Sequence, residues 1–125
     1  VIIENVGDIF LASRKVRMVE IYAGRKKLWK GLKLKVKPQD TPLGICTSSG
    51  RVGHSLSFGC ADSVVILAKN ASLADAAATA VANRVQGKES LVKALGFARS
   101  IRGILGAVII FRNQLASYGD IEFSR

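Results

Sequence analysis

The chain is poor in the residues that usually build catalytic or stapled sites. It has one histidine, two cysteines, one tryptophan and two prolines in 125 residues. Cys46 and Cys60 are too few for a disulfide framework, and their spacing fits no zinc motif. They read as small, reduced, partly buried residues. Aromatic residues make up only 6%, so no platform for stacking nucleic-acid bases is evident. Acidic residues are scarce: 9 against 19 Lys plus Arg, a net charge of +10. No apolar run approaches the roughly 18 residues of a membrane span. No basic segment leads into an apolar one as in a signal peptide. A cytoplasmic protein without membrane contact is therefore expected. There is no P-loop and no G-x-S-x-G nucleophile elbow.

What is present is apolar and well patterned. Hydrophobic residues make up 49%, and the length suits one packed domain over residues 1–125. The chain begins at Val1 and its only methionine is Met18, so a fragment or a processed chain is expected. Short strands are expected at residues 1–3, 9–12, 16–22, 28–36 and 43–46. The β-branched run "SVVILA", residues 63–68, suits a central strand. Helices are expected at 72–85 and 88–101. A hairpin is expected from 107–111 and 115–118 around "RNQ". The fold class is α+β, a largely antiparallel sheet with two adjacent helices.

Seven basic residues and no acid lie in residues 25–37. Within that stretch Leu32, Leu34 and Val36 alternate with Lys33, Lys35 and Lys37, which is the period of a strand with one wet face. Two readings stand: an edge strand guarded by lysines, or a patch that attracts an anionic partner such as nucleic acid.

Two stretches carry candidate chemistry. In "SLADAAATAVANRV", Ser72 is placed as an N-cap and Asp75 at the third helical position, a capping box. Asp75, Thr79 and Asn83 also recur every four residues on one face. A carboxylate and a hydroxyl there can ligate Mg²⁺, with phosphate oxygens near the helix N-terminus. The second stretch is "CTSSGRVGHSLSFG". Thr47, Ser48, Ser49 and Ser55 offer hydroxyls, and its glycines let the chain pass close to a ligand. His54 is either a structural residue or a group for phosphate binding or proton transfer, a weak catalytic candidate.

Three segments together resemble the ApbE superfamily. "ENVGDI" is similar to its G-G-[DN]-I strand end, with Val6 in place of the first glycine. "CTSSG" is similar to its T-S-G segment. "VVILAKNASLADAAATAV" is similar to its strand followed by the A-D-A-x-[AS]-T helix. The segment "GICTSSGRVGHSLSFGCADSVVILA" looks more like a distinct ApbE-related family of archaea and bacteria. The resemblance covers residues 4–122 and corresponds to the C-terminal half of such proteins. ApbE proteins are FAD:protein FMN transferases that hold FAD through Mg²⁺ at its diphosphate. The resemblance therefore implies metal ligands at Asp75 and Thr79. It implies a cofactor-binding set of Thr47, Ser48, Ser49, Gly50, His54, Asp75 and Thr79. It further implies a partner in another copy or in the missing N-terminal half. "GHSLSFG" keeps a histidine but lacks the proline and acid of the superfamily's H-x-I-x-[DN]-P-x-[TS]-G segment. Binding of FAD or another diphosphate or anionic ligand is thus expected, with or without FMN transfer. The archaeal relatives also suggest a non-catalytic accessory role in sulfide assimilation and homocysteine synthesis. A basic nucleic-acid-binding domain is the third and last-ranked reading.

Overall fold

The computed structural model describes residues 2–5, 8–23, 27–48 and 61–125. Strands at both ends enclose a pair of helices. β1 (Ile2–Asn5) and β2 (Asp8–Leu11) form a hairpin, and β3 (Arg17–Glu20) and β4 (Lys33–Val36) pair separately. β5 (Leu43–Ser48) and β6 (Ser63–Ala68) follow, then α1 (Ala71–Ala82) and α2 (Leu91–Ser100). The chain closes with β7 (Ile104–Phe111), β8 (Gln114–Gly119) and β9 (Glu122–Ser124). A six-stranded sheet has the order β1-β2-β5-β6-β7-β8, and a three-stranded sheet the order β3-β4-β9. Every strand pair among the described residues is antiparallel. The fold is α+β. No helix among the described residues is long and apolar enough to cross a membrane.

The continuous apolar runs of β6 and β7 follow from burial on both faces. Val64, Ile66, Ala107 and Ile109 face a core shared with α1 and α2. Val65, Val108 and Ile110 face the opposite core, with Leu11, Leu43 and Ile45 of the same sheet and Leu34 and Val36 of β4. Small residues govern the helix side. Ala74, Ala77, Ala78 and Ala82 are buried, so α1 lies close to the sheet. Arg84 stacks over the Phe97 ring at 3.6 Å, joining the end of α1 to α2.

Three sequence expectations change. Residues 28–36 are not one strand: Lys27–Trp29 form a 3₁₀ turn, and only Lys33–Val36 pair. Trp29 Nε1 donates to the Arg112 carbonyl at 2.6 Å, which draws this segment toward the β7–β8 turn. β4 is not an edge strand either, because β3 pairs on one side and β9 on the other. The partner β9 is three residues long, too short for its periodicity to be read. The lysines next to it meet an acid. Glu122 forms ion pairs with Lys37 and, at 3.7 Å, with Lys35. Its hydrogen bond holds the Lys37 ammonium above its ordinary range. The same contact lowers the Glu122 carboxyl. The third change is the start of α1, which belongs to the site.

Candidate functional site

The N-cap of helix α1 lies two residues earlier than its sequence indicates. Asn70 is the N-cap, in extended backbone, and its Oδ1 accepts from the Leu73 N–H at 2.8 Å. Ser72 is therefore not the cap. Asp75 is the fifth helical residue rather than the third, so there is no capping box with Ser72. Asparagine wins because Oδ1 reaches the free N–H three residues on, and the chain turns helical directly after it. Asp75 is thereby released from helix initiation.

The placement of that helix depends on Gly44. A Cβ at Gly44 would lie 2.3 Å from the Asn70 carbonyl carbon and 2.5 Å from the Ala71 nitrogen. The first turn of α1 thus rests on bare β5 backbone, a close approach that only glycine permits. One turn further along α1 is Asp75, and two residues further along β5 is Cys46. The Cys46 Sγ lies 3.6 Å from Asp75 Oδ1. Register brings in the third member, because Asp8 of β2 is paired with Cys46 of β5. The Cys46 thiol donates to Asp8 Oδ1 at 2.7 Å. Ligand atoms of Asp8, Cys46 and Asp75 all lie within 4.8 Å of one another.

The cluster is electrostatically unbalanced. Cys46 is buried, Asp8 is half-buried and Asp75 is exposed. Burial pushes the Cys46 thiol far above its ordinary range, and the hydrogen bond and charge of Asp8, then Asp75, push it further. Both carboxylates lie within reach of the single thiol, Asp8 at 2.7 Å and Asp75 at 3.6 Å. Neither carboxylate has an ion pair with a basic side chain among the described residues, in a chain of net charge +10. Two residues along the same strand is Ser48, 4% exposed, whose Oγ has no hydrogen-bond partner among the described residues. Its cross-strand partner Val64 belongs to the helix-side core, so Ser48 faces α1 as Cys46 does.

The sequence-predicted residues are divided by the fold. Ser48 lies on the face of β5 that meets α1, and Asp75 of α1 lies beside Cys46 on that face. Thr79 is half-buried on the next turn after Asp75. Thr47 pairs with Val65 of the other core, so its side chain leaves on the opposite face. Ser49, Gly50, His54 and Cys60 lie outside the described residues. Asp8 entered the sequence reading only as part of "ENVGDI", and Cys46 only as a small buried residue. Their pairing spans 38 positions, which no local pattern reveals. The available signal was that the three segments of the resemblance each contain one of the three residues.

Comparison with known proteins places the chain. A family model described as AbpE bacteria matches residues 1–116. The chain belongs to this family. It is similar to a UPF0280 protein of Methanocella arvoryzae, 45% identical over 120 residues, covering 96% of this chain and 49% of the relative. A UPF0280 protein of Methanobrevibacter smithii is 42% identical over 124 residues, covering 96% and 52%. One from Methanocaldococcus jannaschii is 40% identical over 126 residues, covering 97% and 52%. The chain thus spans about half the length of the curated relatives it matches.

Proposed function

We propose that the protein, as a relative of the ApbE superfamily, binds FAD or another diphosphate-bearing ligand through a divalent cation at the start of α1, in a cytoplasmic setting. One observation carries this reading: the three separate segments of the resemblance meet at Asp8, Cys46 and Asp75, within 4.8 Å. Two carboxylates without basic partners suit a cation, and an orphaned buried hydroxyl at Ser48 suits a further oxygen ligand or a water. Asp75 and Thr79 would hold Mg²⁺, which when bound neutralises diphosphate charge. Asp75 supplies the carboxylate from the second turn, and Thr79 the hydroxyl one turn on. Remaining ligand contacts would come from another copy or from the other half of a longer chain, since the relatives are about twice as long.

The test is FAD titration of the full-length protein by calorimetry, with and without Mg²⁺. Mg²⁺-dependent binding is expected, and Asp75→Asn is expected to weaken it at least about tenfold. Because Asn70 and not Asp75 caps α1, the variant should keep the wild-type helical circular dichroism. Equal FAD affinity with and without Mg²⁺, or an unaffected Asp75→Asn variant, would rule the reading out.

A further inference from the structure

We propose that Asp8, Cys46 and Asp75, with the Ser48 hydroxyl as a fourth donor, form a site for a thiophilic divalent cation of the Zn²⁺ class. The inference goes beyond the diphosphate reading by adding a thiophilic cation beside the Mg²⁺ assigned to Asp75 and Thr79, and rests on that reading for Asp75 serving as a cation ligand.

Four observations lead to it. First, two carboxylates face one thiol, at 2.7 and 3.6 Å, and no basic side chain is paired to either acid among the described residues. A divalent cation supplies the missing positive charge. Second, the spacing is right. Around a tetrahedral Zn²⁺ with sulfur at about 2.3 Å and oxygen at about 2.0 Å, neighbouring sulfur and oxygen ligands lie about 3.5 Å apart. The Cys46–Asp75 distance is already 3.6 Å, and the Cys46–Asp8 distance of 2.7 Å opens once the shared proton leaves. Third, Ser48 Oγ is buried on the same face of β5 without a partner among the described residues. A buried hydroxyl left in that condition points to a group that belongs beside it. Fourth, the donor types select the ion. Mg²⁺ requires oxygen ligands and makes no use of a thiolate, whereas first-row cations of borderline softness accept sulfur and oxygen together. Burial of the sulfur adds to this, since a thiolate away from water is stable only on a cation. On binding, the Cys46 S–H bond breaks, its proton goes to solvent and a sulfur–metal bond forms. No electron changes hands.

The experiment is titration of the full-length protein with Co²⁺, read as thiolate-to-cobalt charge-transfer absorption in the near ultraviolet. One equivalent is expected to produce the band. Zn²⁺ is expected to remove it, and excess Mg²⁺ to leave it. Cys46→Ser should abolish the band, Cys60→Ser should retain it, and Ser48→Ala should weaken Co²⁺ binding about tenfold. Absence of the band in the wild type, or its persistence in Cys46→Ser, would overturn the proposal. Mg²⁺-dependent FAD binding, measured in parallel on Cys46→Ser, separates the two readings. FAD binding with no cobalt band defeats the thiolate site alone, and a cobalt band without FAD binding defeats the diphosphate ligand alone.

Discussion

The two faces of the six-stranded sheet are built from alternate residues of the same strands, yet they are covered differently. On one face Ile45, Val65 and Val108 meet Leu34 and Val36 of the three-stranded sheet, and the contact is predominantly apolar. On the other face Cys46, Val64 and Ile109 meet alanines of α1, and at one point the apolar layer gives way to two carboxylates and an unpartnered hydroxyl. Side-chain size accounts for the difference. Leucine, valine and isoleucine fill the gap between the two sheets and leave little room for polar groups; the exception is Ser63, whose Oγ is buried on that face without a hydrogen-bond partner among the described residues. Alanine and a bare glycine bring helix backbone close to strand backbone. Longer polar side chains at the flank can then meet across the seam. The first face stabilises the molecule, and the second holds the donor groups.

Several substitutions break or sharpen that contrast. The largest effect is expected on the apolar face: Ile45→Ala should lower the unfolding free energy by about 2–5 kcal/mol in urea denaturation. Cation binding by the folded protein should be unchanged, because Ile45 points away from α1. Gly44→Ala comes next. Its new methyl would meet Asn70 backbone at 2.3 Å, and forced overpacking costs about 1–3 kcal/mol. Here ligand binding should fall as well, since α1 must lift and carry Asp75 from Cys46. A stable Gly44→Ala protein with intact binding would show that the helix does not need its close seat.

The third effect depends on pH. The folded thiol of Cys46 titrates well above the unfolded one, for burial and the two carboxylates disfavour the thiolate. Below the ordinary thiol pKa of about 8.5, both states keep the proton and the contribution is complete. Above it the unfolded chain releases a proton that the folded chain retains, so stability falls as pH rises. Cys46→Ala should remove this slope. The difference between wild-type and variant denaturation midpoints, followed from neutral pH into the alkaline range, tests it. The smallest effect belongs to the surface. Glu122→Gln removes the ion pairs with Lys35 and Lys37. A slight loss of stability is expected at low ionic strength and none at high salt, because exposed pairs are screened.

Legibility followed the range of the interactions. The helices and the buried strands β6 and β7 were apparent because apolar period and β-branched runs are local properties. The cap of α1 was misplaced by two residues because Asn70 and Ser72 are both competent caps, and only backbone conformation chooses between them. The lysine-bearing strand was read with the correct inward face, Leu34 and Val36, but placed at an edge. Its second neighbour comes from the end of the chain, where three residues carry too little pattern to announce a strand. Asp75 was recognised as a donor. Asp8 and Cys46 were not joined to it, for their meeting requires a strand register between distant segments.

The sequence by itself determined the α+β class, the antiparallel preference, the two inward-facing periods and the presence of a carboxylate and hydroxyl on one flank of an alanine-rich helix. These follow from residue spacing and propensity, which act over a few positions. The tertiary structure alone decided that β4 is central, that Thr47 and Ser48 leave on opposite faces into different surroundings, and that Asp8, Cys46 and Asp75 share one small volume. Such juxtapositions depend on register between strands and on how closely a helix can approach a sheet. At Gly44 that distance is set by the absence of a single carbon atom.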